Sequence, residues 1–115
     1  MNKRQTGSAY EQTAAAFLTG EGYRILEKNY RCRAGEIDLI AKNDGYLVFV
    51  EVKYRRDASM GDALAAVTPQ KQERIRKTAA WYLIRNGYSE ETPCRFDVVG
   101  ITGTEITLVK DAFGI

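Results

Sequence analysis

Histidine is absent from all 115 residues. That removes imidazole metal ligands, Ser–His and Cys–His nucleophile pairs, and every histidine general base together. Any chemistry must run on carboxylates, lysine, arginine, tyrosine or metal-activated water. Cysteine is scarce: Cys32 and Cys94 are the two, without CxxC spacing, which reads as free thiols rather than a disulfide or a zinc site. No apolar run reaches the roughly 20 residues of a membrane helix. The start, MNKRQTGSAYEQ, lacks the apolar centre of a secretory signal, so the expected location is cytoplasmic. Charge of one sign is missing as well. Seventeen Lys and Arg against 15 Asp and Glu leave a net charge of +2, so any affinity for nucleic acid must come from local clusters. No repeat, low-complexity tract or linker divides the chain. One domain over residues 1–115 is expected, with residues 1–6 as a loose tail and about two-thirds of the unfolded surface buried. With 44% apolar and 28% charged residues, the composition is that of a folded protein.

What is present centres on Gly35–Lys53, GEIDLIAKNDGYLVFVEVK. Two apolar runs flank Asn43-Asp44-Gly45, and Asp-Gly between alternating strands is a hairpin signal, because a type I′ turn needs positive φ at both central residues. With Asp44-Gly45 as the loop, Asp38 faces Glu51 and Glu36 faces Lys53. A four-residue loop, Asn43 to Tyr46, gives the same register. Alternation puts Glu36, Asp38, Ile40, Phe49, Glu51 and Lys53 on one face, and Ile37, Leu39, Val48, Val50 and Val52 on the other. Asp38 and Glu51 fall at a non-hydrogen-bonded site, with Cα atoms about 4.5 Å apart. Facing like charges destabilise a hairpin. A divalent cation between them reverses that sign, and carboxylate oxygens suit Mg²⁺. Lys53 is two residues beyond Glu51 on the same face. The bland alternative is a solvent-facing hairpin whose charges never meet.

Before the hairpin, Tyr10, Ala14, Phe17 and Leu18 give helical spacing over Gly7–Thr19, stopped by Gly20 and Gly22. Glu11 has two readings. Ser8-x-x-Glu11 is a capping box, which spacing alone favours; otherwise Glu11 is a third acid reaching the hairpin pair. Tyr23–Cys32 reads as a strand, with Arg24, Lys28, Arg31 and Arg33 against Glu27. After the hairpin, Asp57–Val67 reads as a loop with a short helical turn at Asp62–Ala66, a place for substrate gripping. Thr68-Pro69 starts a helix that runs to Arg85–Asn86 and ends at Gly87, burying Ile75, Ala79, Tyr82 and Leu83. Its other face carries Lys71, Arg74, Arg76, Lys77 and Arg85, either merely solvated or facing phosphates. Trp81 and Tyr82 read as packing residues rather than base-stacking ones. Arg95–Ile101 and Ile106–Val109 are the last strands. The order αβββαββ suits an α/β (α+β) mixed sheet flanked by helices, with the strand after the second helix added in parallel.

Gly7-x-x-x-Glu11, Asn29, Gly35-Glu36-Ile37-Asp38-Leu39-Ile40, Phe49-Val50-Glu51-Val52-Lys53, Lys71 and Arg95-Phe96-Asp97 together resemble the YraN family of bacterial proteins. That family is similar to the archaeal Holliday-junction resolvases and, more broadly, to the PD-(D/E)xK nucleases. The resemblance covers nearly the whole chain in order. It implies a restriction-endonuclease-like core and a Mg²⁺-dependent phosphodiesterase site, with Mn²⁺ as a substitute. Asp38 and Glu51 take the motif's acidic positions, Lys53 its lysine, and Glu11 the first-helix glutamate of the resolvases. Ile37 stands where the motif has proline.

On this reading Asp38, Glu51 and the main-chain carbonyl of Val52 would hold one Mg²⁺, with a second ion near Glu11. Lys53 would stabilise the attacking hydroxide and the scissile phosphate. Arg55, Lys71 and Arg74 are the expected phosphate contacts. The expected partner is nucleic acid, DNA in preference to RNA. A branched, two-fold substrate would suit a homodimer. The competing reading is a nucleic-acid-binding or protein-interaction module on the same fold with a catalytically silent site.

Overall fold

The structure, a computed structural model, describes residues 3–55 and 67–114; of residues 3–8 and 55 it describes the backbone alone. Helix α1 covers Lys3–Gly20, followed by strands β1 (Arg24–Cys32), β2 (Gly35–Asn43) and β3 (Tyr46–Arg55). Helix α2 covers Pro69–Arg85 and leads to β4 (Cys94–Thr102) and β5 (Glu105–Phe113). The five strands form one sheet in the order β1-β2-β3-β4-β5, antiparallel throughout except for the parallel β3–β4 pair. A parallel neighbour needs a crossover connection, and α2 lies in it. The expected order and mixed sheet are therefore present, as in an α+β endonuclease-like fold. Among the described residues no helix is long and apolar enough to cross a membrane.

Each face of the sheet is covered by one helix. Ala14, Ala15 and Leu18 of α1 pack against Leu39, Ala41, Val48, Val50, Val99 and Ile101. Ile75, Ala79 and Tyr82 of α2 pack on the other face against Ile40, Leu47, Phe49, Phe96 and Val98. With both sides covered, β4 is buried continuously from Arg95 to Ile101, including the charged Arg95 and Asp97.

Two boundaries differ from expectation by about a helical turn or a few strand residues. Helix α1 begins at Lys3, so residues 3–6 are helical rather than tail. Ser8 is then inside the helix and cannot be its N-cap, a position that lies outside helical backbone; the capping-box reading of Glu11 is withdrawn. Strand β5 extends to Phe113, whose ring stacks on Phe96 at 4.9 Å between centroids. The expected loop and helical turn over residues 57–66 lie outside the described residues; Val67, at the end of that stretch, is buried.

Helix α2 starts as the sequence indicates. Thr68 is extended, and its hydroxyl accepts a hydrogen bond from the Lys71 N–H at 3.2 Å, with Pro69 opening the helix. Replacing Thr68 with alanine is expected to cost about 1 kcal/mol, read as a lower denaturant midpoint with an unchanged slope. Cys32 and Cys94 are both free, as expected.

Candidate active site

The β2–β3 hairpin closes through Asp44 (φ 52°) and Gly45 (φ 81°), with Asn43 opposite Tyr46 and Leu39 opposite Val50. This is the expected register. The ladder ends at Leu39–Val50: beyond it Gly35–Ile37 stay paired with β1 alone, and Glu51–Arg55 with β4 alone. The hairpin thus opens into a fork.

Asp38 stands at the fork. Its Oδ2 accepts from the Val52 N–H at 2.7 Å, in place of a ladder carbonyl. Alternation breaks at the same residue: Leu39 faces α1, whereas Ile37 joins the cluster beneath α2. Ile37 was expected on Leu39's face; once β2 leaves β3 the ladder no longer holds its pleat in step. The expected Glu36–Lys53 pairing is absent for the same reason. Glu36 accepts instead from Arg31 Nε at 2.9 Å across the β1–β2 ladder.

Glu51 projects from β3 toward α2 and is 8% exposed. Its carboxylate shares a hydrogen bond with Asp38. Lys71 Nζ on α2 is 3.0 Å from Glu51 Oε2, and Lys53 Nζ is 3.8 Å from the same atom. Asp38, Glu51 and Lys53 therefore meet, as the hairpin register predicted.

The charges in this group are unequal. Burial, then the hydrogen bond and repulsion from Glu51, push the Asp38 carboxyl up to about 9. Burial also acts to raise Glu51, but the hydrogen bond from Asp38 and the lysines outweigh it and hold Glu51 below the usual range. Lys53 is lowered by burial and by its hydrogen bond to Lys71, against the pull of Glu51. Burial opposes the charge on Lys71 too, but its bonds to Lys53 and Glu51 leave it raised. At neutral pH one proton is shared by two facing acids, and Glu51 leans on Lys71.

That is the donor set a hard divalent cation displaces a proton from. Val52 N–H points into the fork, and within an extended strand a residue's carbonyl points to the same side as its N–H. The fork therefore presents two carboxylates and one main-chain carbonyl, which suits Mg²⁺ with water completing its shell. Among the described residues no three His, Cys, Asp or Glu side chains converge on one point. The geometry fits a partly hydrated oxygen site, not an all-protein cage.

Glu11 approaches from α1. With the Asn29 amide turned so that its nitrogen faces the carboxylate, Asn29 donates to both Glu11 oxygens. Glu11 is raised first by burial, then by repulsion from Glu36, with Glu51 adding a smaller push; Asp38 in turn feels Glu11. Glu11 is thus on the rim of the acid pair rather than in contact with it. Asn29 adopts φ 55°, a conformation asparagine tolerates better than most residues.

Lys71 was expected to meet phosphate and is found against Glu51, a role that sequence spacing missed. Its position three residues after the Thr68 cap was legible. Its approach to β3 depends on how α2 crosses the sheet. Arg74, one turn further on, lines a 430 Å³ cleft with Lys71, Gly35, Glu36, Thr68 and Ile75. Gly35, with φ 151°, permits that approach: a Cβ there would stand 3.1 Å from Thr78 Oγ1. Arg55 lies on β3, and its side chain is outside the described residues.

A family model described as an uncharacterised protein family, UPF0102, matches residues 10–101. A UPF0102 protein of Lachnoclostridium phytofermentans is 54% identical over 113 residues, covering 98% of this chain and 96% of that protein. One from Klebsiella pneumoniae is 52% identical over 112 residues, covering 96% and 88%. The UPF0102 protein YraN of Escherichia coli is 46% identical over 114 residues, covering 98% and 87%.

Proposed function

The chain belongs to the uncharacterised protein family UPF0102, and we propose that it is a metal-dependent nuclease hydrolysing phosphodiester bonds in nucleic acid, DNA in preference to RNA. The observation that carries this reading is the acid pair at the fork, Asp38 bonded to Glu51, with Lys53 Nζ 3.8 Å from Glu51. A solvent-facing hairpin would scatter these groups; here they are drawn together at a burial cost that a bound cation offsets.

Asp38, Glu51 and the Val52 carbonyl would hold Mg²⁺ or Mn²⁺. When bound, the ion supplies Lewis acidity toward water and a phosphate oxygen. The chain's own residues do the rest. The Val52 N–H fixes Asp38 in place. Lys53, half-buried and held below the usual lysine range by that burial, orients the attacking water and donates to the phosphate as negative charge accumulates. Lys71, raised and so firmly charged, stands 3.0 Å from Glu51 on the wall of the cleft, where it would contact a phosphate. Arg74 follows the backbone along the cleft. The positive end of α2 adds to the same field. Glu11, held by Asn29, is placed to steady a second, outer ion.

The test is a panel of labelled junction, flap, duplex and single-stranded substrates with Mg²⁺ or Mn²⁺. Cleavage is expected on at least one substrate, falling about 10²–10⁴-fold in Lys53→Ala with binding retained. Salt-sensitive binding with no cleavage of any substrate under either ion would reassign the chain to a silent nucleic-acid-binding module.

A further inference from the structure

On the far side of the Arg31–Glu36 ion pair from the cleft lies a second, larger cavity of 620 Å³, between the end of β1 and the C-terminal half of α2. Its wall includes Tyr30, Cys32, Arg33, Trp81 and Arg85. Trp81 was expected to pack; instead it is 42% exposed while its neighbour Tyr82 is buried. None of the ring pairs among the described residues uses Trp81, although its neighbour Tyr82 meets Tyr30 edge-on and stacks on Tyr88. An exposed indole on a cavity wall is an informative departure from burial.

Three arginines, Arg31, Arg33 and Arg85, face one carboxylate in this cavity, Glu27. Glu27 lies near enough to the Tyr82 hydroxyl to help raise its pKa, and Arg31 is engaged by Glu36. Arg33 and Arg85 therefore set the charge at the mouth. The volume is that of a small-ligand site, with a flat apolar ring on one wall and guanidinium groups able to fork onto a phosphate on the others.

The cavity also continues the site already described. Along α2, Lys71, Arg74, Thr78, Trp81 and Arg85 recur at spacings of three and four residues, which places them on one stripe. At 1.5 Å per residue the stripe is about 21 Å long. It begins at Lys71 beside Glu51 and passes the indole to end at Arg85.

From these observations we propose that this cavity binds an unpaired nucleotide of the substrate, its base stacked on Trp81 and its phosphate held by Arg33 and Arg85. This rests on the nuclease reading for its substrate class and adds to it that the substrate must carry a single-stranded segment. In a duplex the base faces are already stacked on one another, so only an unpaired base can offer its face to Trp81.

Trp81 is the single tryptophan of the chain, so its fluorescence reports on this cavity alone. The test uses the full chain in EDTA at low salt, titrated with an oligothymidine, an abasic oligomer of equal length and a duplex of equal length. Saturable quenching by oligothymidine is expected, with little from the other two. Trp81→Ala should weaken oligothymidine binding, followed by anisotropy of a labelled strand, about 5- to 150-fold, equivalent to about 1–3 kcal/mol per stacked base. Trp81→Phe should restore most of that loss. Equal quenching by the abasic oligomer, unchanged binding in Trp81→Ala, or equal quenching by polyglutamate would each overturn the proposal, the last by assigning the cavity to an acidic polypeptide. No divalent cation is available, so this outcome is separate from cleavage: quenching without cleavage under Mn²⁺ would sink the nuclease reading and leave the base-binding cavity standing.

Discussion

Replacing Asp38 with asparagine is expected to abolish cleavage while leaving the cation-free protein at least as stable as wild type at neutral pH. Asparagine copies the protonated carboxyl: its oxygen can accept from the Val52 N–H and its amide can donate to Glu51, the two bonds Asp38 makes. What it removes is the titration. In the unfolded chain Asp38 ionises near 3.8, whereas in the folded chain it does so at about 9. Between those values the folded state holds a proton that the unfolded state has released, so stability falls as pH rises and levels off above about 9. Glu51 has the opposite sign, since its carboxyl is held low; its contribution is present above its unfolded value and lost on acidification. Wild type should therefore be most stable near pH 4–5 and lose on the order of a few kcal/mol toward pH 9. The asparagine variant should lose much less.

A divalent cation replaces the shared proton with fixed positive charge, so Mn²⁺ should raise the melting temperature of wild type more at pH 8.5 than at pH 6 and leave the variant unmoved. Cleavage in the variant should drop at least about a hundredfold. Melting scans across pH, with and without Mn²⁺, read all of this. An Asp38→Asn protein with the wild-type pH slope would mean the two acids do not share a proton.

Much of this geometry was legible because short-range rules fix it. Asp44-Gly45 demands a tight turn, the turn sets which residues oppose, and opposition brings Asp38 to Glu51. Thr68-Pro69 likewise marks the start of α2 wherever the helix packs. The missed features all depend on contacts between elements distant in the chain. The sequence does not show that β2 and β3 part company after Leu39–Val50, because both continue as good strands; beyond that point each is held by its outer neighbour alone, β2 by β1 and β3 by β4. The same event moves Ile37 to the other face and gives Glu36 to Arg31. Lys71 could be placed on a helix but not against Glu51. Trp81, adjacent to the core residue Tyr82, falls on the opposite side of a boundary that periodicity locates only to within a residue or so. The start of α1 was misread because Gly7 and Ser8 suit a cap, yet the helix continues through them to Lys3.

The last segment of the family resemblance, Arg95-Phe96-Asp97, serves the fold rather than the acid pair, and its removal should cost the most stability. Asp97 is fully buried and accepts four hydrogen bonds: Arg95 Nε and Nη2, both at 2.9 Å, the Tyr23 hydroxyl at 2.6 Å and the Asp111 N–H at 2.9 Å. Arg95 also donates to Asn43 Oδ1 at 2.8 Å. The cluster joins the entry to β1, the turn end of β2 and the bulged end of β5 through one residue pair on β4. Asp97→Ala leaves the Arg95 guanidinium, itself 8% exposed, without its carboxylate, and breaking a buried pair in this way costs about 3–5 kcal/mol. Removing both partners in Arg95→Met/Asp97→Leu should cost clearly less than the two single losses added together, because neither charge is then stranded. Urea midpoints for the two single variants and the double variant measure the coupling directly. Additive losses would show that the pair contributes packing and no electrostatic link. Because the groups bonded to Asp97, namely Tyr23, Arg95 and Asp111, are none of the residues at the fork, cation-dependent cleavage per folded molecule should stay within a few-fold of wild type at low temperature even in Asp97→Ala.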